Sequence, residues 1–309
     1  MNLISNISNK NIELFFISTY LVILGSYSGH LIVYNESLSL LYDIPAAHAS
    51  YIIRIKEAYN GLVLTASNDT TIKLWDSNNN WNLVGTYRDH INTVSSLAYL
   101  NNDLMASGDF DGKIKLWRIS SLTTIRTISS ALVFSLVLLK NDYLASGHNS
   151  VIYLWNINNG SRVTALVGHV HNVNDIAVIS DELLASCSSD LTVRIWSLTT
   201  FSIKHILYGH TMPIISLKVV TSDLISSGSQ DQTIRIWNIT DGTLVRNLTG
   251  QTSKIFYSLD LLDSETLISG SFNQKINTWQ IETGNNLKTI TIGINIYSLT
   301  VVQNSSIDF

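Results

Sequence analysis

The sequence predicts an all-β fold, a closed propeller of seven four-stranded antiparallel blades that forms one domain across residues 1–309. Three observations predict it. An aromatic residue closes a short alternating run at Tyr34, Trp75, Trp117, Trp155, Trp196, Trp237 and Trp279, at successive intervals of 41, 42, 38, 41, 41 and 42. An aliphatic residue stands 20 positions upstream of each, at Leu14, Ile55, Leu97, Leu136, Ile176, Leu217 and Leu259, except that Leu136 precedes Trp155 by 19. Between these anchors each copy reads as short period-2 runs parted by polar turns, as in LKVVTSDLISSGSQDQTIRIWN from Leu217 to Asn238. Chance periodicity does not hold two anchors in step.

Blade 1 is expected over about 12–41, with strands near Glu13–Ile17, Leu21–Gly25, Leu31–Tyr34 and Ser37–Leu41. Within it, Lys10 followed by LFFISTYLVIL resembles the apolar segment of a secretory leader. The repeat register already accounts for that stretch as the first two strands, and eleven residues are too few to span a bilayer. Blade 2, about 48–87, turns its first hairpin at Asn60-Gly61, and blade 3, about 90–127, turns at Asn101-Asn102-Asp103 and Asp111-Gly112. These residue types tolerate the positive φ of tight hairpins. They carry most of the turning, since the only prolines are Pro45 and Pro213.

Blade 4, about 131–167, is irregular and lacks one residue between Ser146 and Trp155. Blades 5, 6 and 7, about 169–207, 210–249 and 251–292, regain the register, with outer strands such as Leu244–Leu248 and Leu287–Thr291. One more first strand, about 294–302 around Leu299, leaves an inner strand in surplus. In a closed ring it lies at the blade 1 seam, where closure protects an open sheet edge. Its other reading is the start of a further repeat in a longer array.

Charged residues make up 14% of the chain and hydrophobic ones 45%, which suits strands buried between stacked sheets. Nineteen Lys and Arg against 23 Asp and Glu give a net charge of −4 without a like-charge run, so nucleic acid is not an expected partner. The single cysteine, Cys187, cannot form an intrachain disulfide and reads as a small buried hydrophobe. A reducing compartment is the simpler setting, the cytoplasm with the nucleus as an alternative.

Trp75-Asp76, Trp155-Asn156 and Trp237-Asn238 end third strands, and Gly168-His169 and Gly209-His210 precede first strands. In these residues the chain resembles the WD40-repeat family over essentially its whole length. The resemblance implies a buried hydrogen-bonded chain within a blade, from a His before the first strand to a Ser or Thr in the second, an Asp in the next turn and the Trp. Four blades match residue by residue: His48, Thr65, Asp69 and Trp75; His90, Ser107, Asp111 and Trp117; His169, Ser186, Asp190 and Trp196; His210, Ser227, Asp231 and Trp237. The donors and acceptors of such a set satisfy one another away from water. Blade 1 departs with Leu24, Ser28 and Tyr34, blade 4 with Asn149 and no histidine, and blade 7 with Gln251 and Asn273. Those three are expected to be the looser blades.

Recurrence once per blade argues against reading Ser, His and Asp as a hydrolytic triad, which is a single site. No phosphate loop, zinc spacing or calcium loop is present, so neither cofactor nor metal is expected. His148 and His171 read as isolated loop histidines. Binding is the expected activity. The resemblance implies that the residue before each turn Asp faces partners around the central channel, which selects Tyr27, Asn68, Phe110, His148, Ser189, Gln230 and Phe272. Phe110 and Phe272 have the character of anchors, and Tyr51, Phe134, Tyr257 and Tyr297 at first-strand starts add to the same face. These features point to a non-enzymatic scaffold that holds a protein or peptide, a monomeric propeller within a complex. The alternative is the sensor or substrate-recognition part of a larger signalling or ubiquitin-ligase protein, although Ser77 and Asn78 follow Trp75-Asp76 where some such receptors carry Trp-Asp-x-Arg.

Overall fold

A computed structural model describes residues 20–101, 103–249 and 256–303. Every regular element in them is a strand, and the strands form seven antiparallel sheets of four. Six sheets are consecutive in sequence. Blade 2 comprises Ile52–Glu57, Leu62–Ser67, Ile72–Asp76 and Asn82–Tyr87, counted from the channel outwards, and blades 3 to 7 repeat this order from Val94 to Thr291.

Blade 1 is assembled from both ends of the chain. Ile296–Gln303 takes the inner position, paired antiparallel with Tyr20–Ser26, and Leu31–Asn35 and Leu40–Ile44 complete the sheet. The ring is therefore closed by hydrogen bonds between two distant segments. The expected first strand Glu13–Ile17, with Leu14, lies outside the described residues, as do Asn102 and Gln251 and the side chain of Tyr257.

Packing explains why both sequence anchors keep one register. Each first-strand aliphatic meets the aromatic of its own blade in a cluster shared with the preceding blade. Ile55 joins Trp75 beside Leu21 and Val33 of blade 1, and Leu97 joins Trp117 beside Leu64 and Leu74 of blade 2. Leu299, from the far end of the chain, joins Tyr34 in the same way. The tryptophans are 1–6% exposed. Burying large rings between blades is what stacks the sheets.

The aromatic is aimed by a bulge. In all seven blades the pairing of third and outer strands slips by one residue immediately before it, between Val33 and Tyr34, Leu74 and Trp75, and at the five equivalent points. An inserted residue twists the strand locally and re-aims its side chain.

Near the axis the blades converge, and five of the seven place a small pair there. Ser96, Ser135, Ser216, Ser258 and Ser298 precede the anchor aliphatics, facing second-strand glycines in register where the strands pair. A Cβ on Gly25 would lie 2.7 Å from Ile52 of the next blade.

Candidate functional site

Three blades carry the same polar assembly. In blade 2, His48 Nδ1 donates to Asp69 Oδ2 at 2.9 Å, while His48 Nε2 and Trp75 Nε1 each lie 2.8 Å from Thr65 Oγ1. His169, Ser186, Asp190 and Trp196 repeat it with distances of 2.7 Å. His210, Ser227, Asp231 and Trp237 repeat it at 2.7–2.8 Å.

The donor count fixes the protons. Trp offers only N–H, so the hydroxyl oxygen accepts from it and gives its own proton to His Nε2, leaving Nδ1–H for the carboxylate. Burial alone would raise the carboxyls of Asp69, Asp190 and Asp231. Hydrogen bonds from the histidine, from a threonine and from a backbone N–H outweigh it and hold them well below the usual range. Burial lowers His48 and His169 despite their aspartates.

Sequence reasoning missed the threonines. Thr71, Thr192 and Thr233 donate to the second carboxylate oxygen at 2.6–2.7 Å, two residues beyond each Asp. The signal was available as a thrice-repeated Asp-x-Thr, whose middle residues Thr70, Leu191 and Gln232 hold φ of 70°.

Blade 3 corrects one assignment. His90 Nδ1 bonds to Asp109 Oδ2 at 2.6 Å, not to Asp111, while Ser107 and Trp117 keep their places. Asp109 occupies the position that is Ser67, Ser188 or Ser229 in blades 2, 5 and 6. Its other oxygen accepts the N–H groups of Asp111 and Lys113, so one buried carboxylate ties the turn and meets the histidine together.

Blade 4 corrects two more. It does hold a histidine, and His148 is fully buried rather than a loop residue facing partners. Its Nε2 lies 2.6 Å from Ser146 Oγ, which also accepts Trp155 Nε1–H at 2.7 Å. Its Nδ1 donates to the carbonyl of Leu132 at 2.9 Å. The one-residue-shorter hairpin turns this side chain inwards, into the place that a histidine preceding the first strand fills elsewhere. In blade 7, Trp279 Nε1 still donates to Ser269 Oγ at 2.9 Å, and Asn273 accepts from Ser271. In blade 1, Tyr34 stands where the others have Trp, and Ser28 meets Ser26 at 3.1 Å.

The first strands of all seven blades line a central channel of about 440 Å³. Charged residues cross-link its wall. Asp175 accepts the backbone N–H of Leu217 in the next blade at 3.0 Å, and burial raises its carboxyl. Asp260 accepts the N–H of Val301 at 3.0 Å and pairs with Lys218. Arg54 of blade 2 reaches the carbonyl of Asn174 in blade 5.

Aromatic rings gather at the mouth of this channel. Tyr27 and Tyr51 stack at 5.3 Å, Tyr51 and Tyr297 at 5.1 Å, and Phe272 meets Tyr27 edge-on at 5.9 Å. Blades 7, 1 and 2 thus contribute one continuous cluster, in which Tyr27 is 52% exposed. Phe110 lies apart from it and packs on Phe134 at 5.5 Å. Asn68 is bonded to Ser50 and Thr93, Ser189 to Asn174, and Gln230 is half-buried beside Pro213.

With this geometry in view, a family model described as WD domain, G-beta repeat matches residues 43–76, 81–118, 160–197 and 201–238. Those segments end on the third strands of blades 2, 3, 5 and 6, the four with a histidine before the first strand. The chain belongs to the WD40-repeat family. It is 27% identical over 165 residues to "Transcriptional corepressor LEUNIG_HOMOLOG" of Arabidopsis thaliana, covering 51% of this chain and 21% of the relative. It is 28% identical over 194 residues to "Nuclear distribution protein PAC1" of Candida glabrata, covering 56% of this chain and 41% of the relative. The matches thus span less than half the length of these relatives. Among solved structures, the computationally designed Ika8 protein superposes with a TM-score of 0.72 at 22% identity, over 91% of this chain and 87% of that one, a likeness of fold alone.

Proposed function

We propose that this protein is a non-enzymatic platform that holds a protein or peptide partner over the mouth of its channel. The observation that carries this reading is the cluster of Phe272, Tyr27, Tyr51 and Tyr297, in which Tyr27 is exposed and the other three rings are half-buried. Aromatic side chains offer large contact area at little cost in rotamer entropy, which makes them binding anchors. Phe110 with Phe134, and the polar Asn68, Ser189 and Gln230, form the remainder of the surface; His148 does not belong to it, because it is buried.

The repeated Ser-His-Asp sets do not favour hydrolysis. Their hydroxyls are buried and already engaged with both Trp and His, which leaves no nucleophile facing a substrate. The names of the relatives, a corepressor and a nuclear distribution protein, fit a protein-binding module. A second reading draws on the small share of those relatives that is matched. In it the propeller is the sensor or substrate-recognition part of a larger signalling or ubiquitin-ligase protein.

Affinity capture from cells with the wild-type chain and a Tyr27→Ala, Phe272→Ala double variant tests the rim. At least one stoichiometric partner is expected to be lost while the unfolding midpoint stays put. Retention of every partner by the variant would remove the rim from consideration.

A further inference from the structure

On the opposite face, where third strands turn into outer strands, the grooves between blades are closed in two ways. In four blades the turn carries a large apolar residue in the left-handed region: Leu38 (φ 59°), Trp81 (φ 57°), Leu122 (φ 57°) and Phe201 (φ 54°). That conformation costs a bulky residue about 1–2 kcal/mol, so the side chain must gain by being held there. The gain is visible. Trp81 is buried with Leu21 and Val33 of the preceding blade, Leu122 packs with Leu62 and Leu74, and Leu38 joins Ile276 of blade 7, whereas Phe201 stays 42% exposed.

In the other three blades the turn residue is Gly160, Gly242 or Gly284, and a long side chain from the preceding blade reaches over it. Arg126 donates to the carbonyls of Asn158 and Asn159, His205 to that of Thr240, and Arg246 to that of Glu282.

The groove between blades 6 and 7 stays open even so. It has a volume of about 340 Å³, with Leu224, Ile236, Val245 and Ile281 in its wall and Glu265 and Glu282 on its rim. Its surface is the one that holds Trp81 two blades further round the ring. Leu224 pairs with Asn238 as Leu21 pairs with Asn35, and Ile236 precedes the bulge as Val33 does.

We propose that this groove docks a partner peptide that supplies in trans the plug other blades carry in cis. The occupant is a single aromatic or leucine side chain flanked by basic residues. The chain's own plugs define the anchor chemistry, since the equivalent surfaces accept Trp81, Leu38 and Leu122. The rim defines the flanks: the exposed carboxylates of Glu265 and Glu282 outnumber the lining's one cation, Arg246, whose guanidinium is held on the carbonyls of Val245 and Glu282. The site lies on the face away from the aromatic mouth and does not depend on the function proposed above.

The probe is a fluorescein-labelled peptide, Lys-Asn-Asn-Trp-Asn-Lys, which copies Asn79–Asn82 between two lysines. Fluorescence anisotropy should show saturable binding to the full chain, weakened about tenfold or more when Ala replaces the peptide's Trp. Val245→Lys should abolish it, and Glu265→Gln with Glu282→Gln should weaken it and flatten its dependence on salt. Gly284→Leu, which installs a plug in cis, gives the same decision should Val245→Lys fail to fold by circular dichroism. Equal binding of the Trp and Ala peptides, no saturable binding, or binding undiminished by the groove variants would overturn the proposal. So would loss of the peptide in Phe272→Ala, which places it at the channel mouth, or self-association through the groove without peptide binding.

Discussion

His148 sits between two carbonyl oxygens, which only accept, and a serine hydroxyl, which can accept or donate. Nδ1 therefore carries a proton, and burial keeps the ring neutral by pushing its pKa down from 6.5 to about 4, which leaves Nε2 to accept from Ser146. The sign of the pH effect follows. Between those values the unfolded chain binds a proton that the folded chain refuses, so stability falls as pH drops from 6.5, by about 3 kcal/mol near pH 4. His48 and His169, lowered by burial, act in the same direction. The depressed carboxyls of Asp69, Asp190 and Asp231 lose their contribution only further down, below 3.8. Urea unfolding at pH 7, 5.5 and 4.5 should show a shallower loss for His148→Gln than for the wild type; parallel losses would contradict a neutral His148. The blade 3 correction is testable in the same assay. Asp109→Ala should cost about 3 kcal/mol, because it orphans His90 and two backbone N–H groups, whereas Asp111→Ala should stay within about 0.5 kcal/mol.

At the scale of the element, the decisive feature is the strand Ile296–Gln303. It pairs with Tyr20–Ser26 over seven residue pairs and brings Leu299 to Tyr34, so the seam is built like the interior of any other blade. Deleting residues 296–309 would expose that sheet edge and one inter-blade cluster together. The expected result is loss of cooperative unfolding, on the order of the whole native stability of about 5–15 kcal/mol. A deletion variant that kept the wild-type midpoint would mean that Glu13–Ile17 can take the inner place. The turns between third and outer strands show the same reciprocity. Gly85 leaves room for Leu122, since a Cβ there would lie 2.5 Å from a leucine methyl, and Arg126 spans the gap over Gly160. The turns of blades 3 and 4 are thus matched to their neighbours' outer strands.

For the whole molecule, blade stability should follow the completeness of the buried polar sets. Blades 2, 3, 5 and 6 have them, and blade 4 rebuilds one from His148, so hydrogen exchange should be slow in those five and faster in blades 1 and 7. Exchange in blade 4 as fast as in blade 1 would mean that His148 does not replace the missing upstream histidine.

Much of this was legible in the chain itself. Blade number, strand order and the aromatic interval were readable because each Trp and each first-strand aliphatic must meet in one inter-blade cluster, which imposes a constant spacing on the sequence. The sets of blades 2, 5 and 6 were legible for the same reason: a conserved distance along two paired strands is a conserved distance in space. What arithmetic could not reach was any contact set by the direction of a side chain. Asp109 displaced Asp111 and His148 turned inwards because a hairpin's length decides which neighbour faces the core. The identity of the blade 1 inner strand and the joining of Tyr27, Tyr51, Tyr297 and Phe272 were decided only by closing the ring. A repeat encodes relations within a blade and between successive blades; what meets across the seam depends on how seven of them add up to a full turn.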